Sequence, residues 1–213
     1  MTTITLKIKD IKAVSYAMGN KDIRYYINGM LVDHNGIETR LVATDGHRLH
    51  LVRVEHSSEF VSEPVKYIVP RDFVAQLLKT KFSKYAIKQV TLTFSDMKVA
   101  AALPNGGEII SKLIDGRFPD YCRVIPKDLS GEYAYLNPEY QLDAVNGLID
   151  YSENKTITVK IKHNGEGAAA LAYKNYLAVI MPVRSKFVSV SDNPDTVWTS
   201  SLAGPELPAK ATA

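Results

Sequence analysis

The sequence predicts an α+β protein built from a repeated β-α-β-β-β unit. Three segments, at residues 3–18, 67–78 and 135–145, each have the pattern of a short strand followed by roughly ten residues of helical periodicity. Alternating apolar and polar runs, which are typical of strands, follow each segment. Three such units make one complete two-unit domain and one unpaired half, about one and a half domains per chain.

The first unit opens with Ile4, Leu6 and Ile8 alternating along a predicted strand, and a helix is predicted at 11–18. Further strands are predicted at 25–32 and 39–54. The second of these runs is broken by Asp45-Gly46, a pair that strongly favours a hairpin turn.

The second and third units begin their helices at Pro70 and Pro138, a position that tolerates the missing N–H. Asp72 and Glu139 follow in the first turn, where the helix dipole favours negative charge. The strands predicted after these two helices lie at 90–94, 99–103 and 108–113, and at 156–161, 168–172 and 176–181.

Length, charge and cysteine usage narrow the class of protein. The 213 residues contain no apolar run long enough to predict a membrane span and no layout of a secretory signal. Cys122 is the only cysteine, so no intrachain disulfide can form, which fits a reducing cytoplasm. A net charge of +3 permits a local basic surface but not a protein coated with phosphate contacts.

Separated motifs in a fixed order indicate one known family. They are ATDGHRL at 43–49, RFPDY at 117–121 and MPVR at 181–184, extended by RYYINGML at 24–31, LIDGRFPDY at 113–121, LNPEY at 136–140 and VIMPVR at 179–184. Together they resemble the bacterial DNA sliding clamp, the β subunit of DNA polymerase III. The resemblance runs to about residue 185 and implies the DNA-clamp fold.

The resemblance also implies a domain organisation. Residues 1–122 resemble the middle domain of the clamp, residues 123–186 resemble the second half of its last domain, and 187–213 are expected to be a flexible tail. Trp198 in that tail is a candidate surface anchor. The first clamp domain and the first half of the last one have no counterpart, so we expect a truncated member, of bacterial origin or from a phage or other mobile element.

In this family, replication proteins insert a short peptide into an apolar groove between the middle and last domains. The residues that the resemblance assigns to the groove are Ile27, Thr44, Gly46, His47, Arg48, Leu49, Pro119, Arg123, Val124, Asn137, Tyr140, Val179, Met181, Pro182, Val183 and Arg184. Apolar side chains and an adaptable methionine suit a concave peptide site, and the arginines can hydrogen-bond a peptide backbone. Ser185 departs from the family, which usually ends there in an apolar residue. Leu49, Val179 and Met181 would equally be ordinary core residues of a sheet protein.

A clamp also needs cations that contact phosphates without reading sequence. The candidate DNA-binding residues are Arg24, Tyr25, Tyr26, Lys12, Lys21, Arg71, Lys79, Lys81 and Lys84. Tyr25 and Tyr26 resemble a tyrosine pair that touches DNA in the family. The third helix is acidic and is predicted to line DNA poorly, and each lysine could equally be a solvated surface residue.

No catalytic constellation emerges, and we expect neither an enzyme nor a metal or other cofactor. Asp45, His47, His50 and His56 are close in sequence, but residues 47 and 50 would face opposite sides of a strand. Gly106-Gly107 is predicted to be a turn rather than a phosphate loop, because no Lys-Ser/Thr follows it.

The leading hypothesis is a sliding clamp that encircles duplex DNA as a homo-oligomeric ring and docks a DNA polymerase and a clamp loader in its groove. Two chains are expected to pair their half-domains about a two-fold axis, and two such dimers could close a ring. The alternative is a clamp-derived adaptor that binds replication or repair proteins without encircling DNA. A third reading is a minor transcriptional or repair cofactor that uses the same surface.

Overall fold

A computed structural model describes residues 1–54, 64–80, 88–104 and 106–184. The elements, in chain order, are β1 (Thr2–Lys7), α1 (Ile8–Ser15), β2 (Gly29–His34), β3 (Thr39–Thr44), β4 (Arg48–Val54), β5 (Val65–Pro70), α2 (Arg71–Lys79), β6 (Gln89–Ser95), β7 (Lys98–Ala102), β8 (Glu108–Lys112), α3 (Pro138–Ser152), β9 (Ala169–Tyr173) and β10 (Tyr176–Ile180). Short 3-10 turns occur at Tyr25–Ile27 and Tyr121–Val124.

The predicted α+β class and the repeated unit are confirmed for the first two units, which run β1-α1-β2-β3-β4 and β5-α2-β6-β7-β8. The units exchange strands. The second unit's β5 pairs antiparallel with β2 and continues the first unit's sheet, while β1 pairs antiparallel with β6 in the other sheet. Each unit therefore completes the sheet of the other, and both sheets close over a shared core.

The third unit is less regular than predicted. Residues 135–136 and 156–161 are not strands, and the one pairing near the second segment is an isolated bridge between Lys162 and Ala170. In the complete pair of units, the strands at these places pair with strands of the sister unit. Among the described residues the third unit has no sister, so these segments lack the partner edge that would make them strands.

The third unit instead joins the first unit. β10 pairs antiparallel with β4, giving a six-stranded sheet in the order β5-β2-β3-β4-β10-β9 beside the four-stranded sheet β1-β6-β7-β8. α3 packs against α1. Gly147 makes this approach possible, because a Cβ there would lie 2.8 Å from the Ala13 carbonyl oxygen and would also collide with the Tyr176 hydroxyl.

Several boundaries differ from the prediction: α2 begins at Arg71, with Pro70 as its N-cap, and α3 continues to Ser152. The strand predicted at 25–32 begins at Gly29, because the preceding residues are held in a closed loop: Gly19 N–H donates to the Ile27 carbonyl (3.0 Å), and the Asn28 side chain bonds the backbone of Asp22. The helix predicted at 11–18 spans Ile8–Ser15, so it follows directly on β1. The asparagine before Pro138 caps α3 by accepting from Glu139 N–H at 2.9 Å.

The six-stranded sheet is buried on both faces. One face packs with the helices in the main core, and the other forms a smaller cluster around Leu31, Leu49, Tyr121 and Val179. The segment 114–125 covers part of this second face. The candidate site lies where that cover stops, at the junction of β4 and β10.

Candidate functional site

The β3–β4 turn builds the first wall of the site. Gly46 adopts a φ of +91°, which a glycine tolerates readily, so the predicted hairpin at Asp45-Gly46 is confirmed. The Asp45 carboxylate accepts from the N–H groups of His47 (2.9 Å) and Arg48 (3.0 Å). Thr44 donates its hydroxyl to the Arg48 carbonyl at 2.7 Å. These bonds fix the direction in which His47 and Arg48 leave the turn.

The second wall comes from the end of the third unit. Val179 on β10 lies opposite Leu49 on β4. The pairing continues one residue beyond β10, because Met181 N–H donates to the His47 carbonyl at 2.9 Å. The motifs at 43–49 and 179–184, far apart in sequence, are thus adjacent in one sheet.

Between these walls lies a pocket of about 230 Å³. It is lined by Arg24, Tyr26, Ile27, Thr44, Gly46, His47, Arg48, Leu49, Pro119, Asp120, Tyr121, Val124, Val179 and Met181. Ile27, Leu49 and Val179 are buried in its floor, while Met181, 41% exposed, lies at its rim. The site is an apolar hollow with a polar margin, a shape suited to a few apolar side chains of a ligand.

Arg48 ties the pocket to α3. Its guanidinium lies 3.3 Å from the Asp45 carboxylate and 2.5 Å from that of Asp143, and it stacks 4.5 Å above the Tyr140 ring. The His47 and Tyr140 rings stack at a centroid distance of 6.2 Å. Burial raises the pKa of Asp143, and the nearby Arg48 offsets that shift only in part. The Arg48 charge is therefore matched within the chain.

Most of the predicted groove residues line this pocket, but several do not. Those outside its lining are Arg123, Asn137, Tyr140, Pro182, Val183 and Arg184. Tyr140 reaches the wall only through His47 and Arg48, and Asn137 serves as the N-cap of α3. Arg123 is exposed and pairs with Asp120 at 2.9 Å. Val183 N–H donates to the Tyr135 carbonyl at 2.7 Å, so this stretch follows the chain before α3.

Sequence reasoning missed two lining residues that were not assigned to any site. Asp120 and Tyr121 belong to the RFPDY motif, from which only Pro119 was assigned to the groove. The Tyr121 hydroxyl donates to the Asp33 carboxylate at 2.8 Å, and burial raises the tyrosine pKa to about 12. Asp33 lies on β2, which is buried along its whole length, so its carboxylate needs a hydrogen-bond partner.

Arg24 and Tyr26, predicted to bind DNA, also line the pocket. Arg24 pairs with Asp22 at 2.7 Å and donates to the Asp45 carbonyl at 3.0 Å, so it braces the β3–β4 turn. Tyr25 and Tyr26 meet edge to face at 5.7 Å, and Tyr25 is exposed.

The remaining DNA candidates differ in what they contact. Lys21 and Lys79 are exposed. Arg71 donates to the Met18 carbonyl at 2.7 Å and so joins α2 to the turn that follows α1. Lys12 pairs with Asp150 of α3 at 2.9 Å. Lys81, Lys84, His56, Ser185, Trp198 and the tail at 187–213 lie outside the described residues.

The two helices that meet at the unit boundary neutralise each other. Besides the Lys12–Asp150 pair, Lys9 pairs with Glu153 at 3.2 Å, and the Tyr16 hydroxyl donates to Asp150 at 2.7 Å. The acidity predicted for the third helix is thus opposed to lysines of the first helix. Part of the basic charge expected to face DNA is satisfied inside the chain.

The histidines near the turn do not converge. His47 is exposed, while His50 is buried and its Nδ1 donates to the Ala13 carbonyl at 3.0 Å. Within residues 1–54, 64–80, 88–104 and 106–184, no group of three or more His, Cys, Asp or Glu residues could hold a metal ion. In the same residues, no helix is long and apolar enough to cross a membrane.

Comparison with known proteins agrees with the motifs. Residues 4–120 match the family described as DNA polymerase III beta subunit, central domain. The chain is 38% identical over 136 residues to the beta sliding clamp of Escherichia coli, which covers 63% of this chain and 33% of that protein. It is 36% identical over 158 residues to the beta sliding clamp of Caulobacter vibrioides, covering 72% and 41%. The chain therefore spans about a third of the length of the curated relatives it matches.

Solved structures extend the likeness beyond the central domain. The DNA polymerase III subunit beta of Pseudomonas aeruginosa superposes with a TM-score of 0.68 at 22% identity, covering 86% of this chain and 67% of that one. The subunit from Thermotoga maritima gives 0.68 at 16% identity, covering 86% and 66%. At these identities the match shows the fold, and it includes the third unit as well as the first two.

Proposed function

Because this chain belongs to the DNA polymerase III beta subunit family, we propose that it acts as a DNA sliding clamp, a processivity factor that tethers replication proteins to DNA. The observation that carries the proposal is the apolar pocket at the junction of β4 and β10. A clamp makes and breaks no bonds, so we propose no enzymatic activity. We place its work in the bacterial cytoplasm and its gene in a bacterium or a phage.

The pocket would take a short peptide from a DNA polymerase or a clamp loader. Leu49 and Val179 give an apolar floor, and the flexible Met181 at the rim can adapt to different side chains. Arg24 also lines the pocket, and its Nη1, which is not among the atoms bonded to Asp22 and Asp45, can donate to peptide carbonyls. The predicted residues beyond Met181 would continue the groove along the chain that follows β10.

A substitution at the rim tests this groove without disturbing the floor. We expect Met181→Lys to weaken binding of a fluorescent peptide, carrying the clamp-binding segment of a bacterial replicative polymerase, by at least about tenfold, because a charge replaces an apolar contact. Met97→Lys is the matched control, since Met97 is 52% exposed and lies in the turn between β6 and β7, outside the pocket lining. Equal affinities of the two variants would contradict the groove.

We further propose that residues 1–122 form one complete clamp domain and that 123–186 form a half-domain completed by a second chain. The half-domain has no sister unit among the described residues, and Leu142 on α3 is 59% exposed. Ile157, Val159 and Ile161 remain half-buried along a segment that does not form a strand. A two-fold contact would bury these apolar groups twice.

Mass measurement in solution tests this pairing. The protein is expected to be a dimer or a larger even oligomer at micromolar concentration, and Leu142→Glu is expected to lower the mass. Ile37→Glu, at an exposed loop position, should leave it unchanged. A stable monomer of the unaltered chain at that concentration would rule out the half-domain pairing.

Encirclement of DNA is a separate part of the proposal. Lys21, Lys79 and the exposed Tyr25 are described residues that could contact the backbone or bases. After loading by a clamp loader, a ring should stay on closed circular DNA and leave when the circle is cut. Retention that does not depend on circularity would contradict the ring.

The alternative, an adaptor that binds replication or repair proteins without encircling DNA, is favoured by one observation. The pairs Lys12–Asp150 and Lys9–Glu153 remove charge from the helices that would face the duplex. An adaptor would bind the polymerase peptide through the same pocket but would not be retained on circular DNA. The peptide and circle experiments together separate the two functions.

A further inference from the structure

A second hollow adjoins the apolar pocket. It has a volume of about 1090 Å³ and is lined by residues of β2, β3 and β5 and of the segment 116–123. The linings of the two spaces share Tyr26, Pro119, Asp120 and Tyr121, so residues 119–121 form a common wall. A ligand held in the apolar pocket can therefore extend into the second hollow along one continuous surface.

The lining of the second hollow is basic, and we call this space the basic hollow. Its charged side chains are the cations of Arg40, Lys66, Arg117 and Arg123 and the carboxylates of Asp33 and Asp120. The floor of the apolar pocket, by contrast, consists of buried aliphatic side chains. The two spaces therefore suit ligand groups of different chemistry, apolar in the first and anionic in the second.

Two of the four cations are held by carboxylates of the chain itself. Arg40 donates from Nε to the Glu38 carboxylate at 2.6 Å, and its Nη1 lies 3.4 Å from the Tyr121 hydroxyl. Lys66 lies 3.4 Å from the Asp33 carboxylate, which also accepts a hydrogen bond from the Tyr121 hydroxyl. The negative charge of Asp33 is thus matched within the chain, so it does not oppose the binding of an anion.

The other two cations, Arg117 and Arg123, can pair with a ligand. None of the ion pairs among the described residues includes Arg117, which is exposed. Arg123 pairs with Asp120, but the two side chains are 84% and 58% exposed. An exposed ion pair contributes little to stability, so Arg123 can exchange Asp120 for a carboxylate of a ligand.

The segment that carries Arg117 is fixed on both sides of it. Ile114 N–H donates to a carbonyl of β5 at 2.9 Å, and Tyr121 is buried. Gly116 allows a close approach to the 3-10 turn, because a Cβ there would lie 3.0 Å from the Tyr26 Cβ. The backbone of Arg117 is therefore in place before a ligand arrives, which lowers the entropic cost of binding.

We propose that the basic hollow binds acidic residues that flank the apolar anchor of a partner peptide, with Arg117 and Arg123 as the residues that recognise them. The inference rests on the proposed function, because the anchor itself would occupy the apolar pocket. A guanidinium group can bind a carboxylate through two parallel hydrogen bonds. Partners that share the same apolar anchor would then be distinguished by the charge of the residues next to it.

The charge distribution favours a peptide over a nucleic acid. The carboxylates of Asp33 and Asp120 lie among the cations of the lining. A nucleic acid carries a negative charge on every phosphate, so phosphates that follow the hollow would meet these carboxylates as well as the arginines. Two or three acidic side chains of a peptide can instead be spaced to meet Arg117 and Arg123 alone.

Peptides that differ only in the flanking residues test the proposal. The probe is the fluorescent polymerase peptide, extended at either end by three glutamates or, as the neutral reference, by three glutamines. At low ionic strength, glutamates at one end should tighten binding about five- to tenfold relative to glutamines, and high salt should remove this gain because it screens exposed charges. Equal affinities of the acidic and neutral peptides, at both ends, would overturn the proposal.

Charge reversal at Arg117 identifies the residue responsible. Arg117→Glu should abolish the gain from the glutamates, leave the affinity for the glutamine-extended peptide unchanged, and create a preference for an extension of three lysines. Lys155→Glu is the matched control, because Lys155 is exposed and lies outside both linings, and it should keep the gain. If Arg117→Glu also keeps the full gain, the glutamates bind elsewhere and the assignment is wrong.

The same titrations separate this inference from the proposed function. If Met181→Lys weakens binding of the glutamine-extended peptide but glutamates add nothing, the apolar pocket stands and the basic hollow is wrong. If neither peptide binds, the proposed docking function fails, and the acidic flank fails with it because it has no anchor. Arg117-dependent binding of a short single-stranded oligothymidylate, without any gain from glutamates, would assign the hollow to nucleic acid and overturn the proposal.

Discussion

The Arg48 guanidinium and the Asp143 carboxylate lie 2.5 Å apart across the boundary between the first and third units. Arg48 follows the turn that forms one wall of the pocket, and Asp143 is on α3, the helix that packs against α1. Both side chains are largely shielded from solvent. The shape of the pocket therefore depends on how the third unit is seated, and a change on α3 can alter a ligand site that it does not touch.

Asp143→Asn is expected to destabilise the protein by about 1 kcal/mol and to weaken peptide binding. Removal of one partner from a buried ion pair typically costs roughly 3–5 kcal/mol. The cost should be smaller here, because burial raises the pKa of Asp143 and Asp45 still faces Arg48. Urea unfolding and peptide titration measure the two effects. Glu139→Gln, on an exposed part of the same helix, is the control, and equal behaviour of the two variants would contradict the linkage.

Gly147→Ala is expected to destabilise the protein by roughly 1–3 kcal/mol, as overpacking of a tight contact does. In an exposed helix the same change would stabilise by about 1 kcal/mol. Here the added methyl group would meet the Ala13 carbonyl oxygen and the Tyr176 hydroxyl. Asn146→Ala, at the adjacent half-buried position, is the control. A variant at position 147 that is more stable than the unaltered chain would show that α3 can move away from α1 at little cost.

Tyr121→Phe should lower the free energy of unfolding by roughly 1–2 kcal/mol, because the buried Asp33 would lose a hydrogen-bond donor. Lys66, 3.4 Å from Asp33, is exposed and can only partly replace it. Thermal unfolding at neutral pH measures the loss. Tyr133→Phe removes a hydroxyl from an exposed side chain and should have no effect. A loss as large at position 133 would mean that the assay does not report this hydrogen bond.

The strands and helices of the first two units could be predicted from the sequence because each has a regular pattern and a partner. The alternation at 90–94 and 99–103 led directly to β6 and β7. The same alternation at 156–161 did not produce a strand. Periodicity shows which side of a segment is apolar, but a strand also needs a neighbouring strand with which to form backbone hydrogen bonds. Whether that neighbour is present depends on the whole fold.

The residues of the candidate site also fall into two groups, those that could be predicted from the sequence and those that could not. The resemblance carried by the motifs at 43–49 and 179–184 predicted its two walls, and in the structure the β3–β4 turn and the pairing of β4 with β10 hold them in place. The contributions of Arg24 and Tyr121 depend on long-range contacts, with Asp45 and Asp33 respectively. Arg24 carried a charge that indicated DNA binding, and nothing in its neighbourhood in the sequence showed that it would brace a turn.

His50 gives the protein a predictable sensitivity to acid. Burial lowers the pKa of this histidine to about 4, with the nearby Arg48 acting in the same direction and the bond to the Ala13 carbonyl opposing it. Its ring points from β4 toward Ala13 of α1 and Tyr176 of β10. Protonation would therefore place a charge inside the contact between the first and third units.

The direction of the pH effect follows from the two pKa values. In the unfolded chain His50 is protonated below its ordinary pKa of about 6.5, whereas in the folded chain it stays neutral down to about pH 4. The contribution of neutral His50 to stability is complete above pH 6.5 and declines by roughly 3 kcal/mol as the pH falls to 4. Urea unfolding at pH 7.5, 6 and 5 should show this decline, and His50→Asn should flatten it. His47→Asn, at an exposed position, should leave the slope unchanged. If the His50 variant keeps the full slope, carboxylates rather than this histidine set the acid limit of the fold.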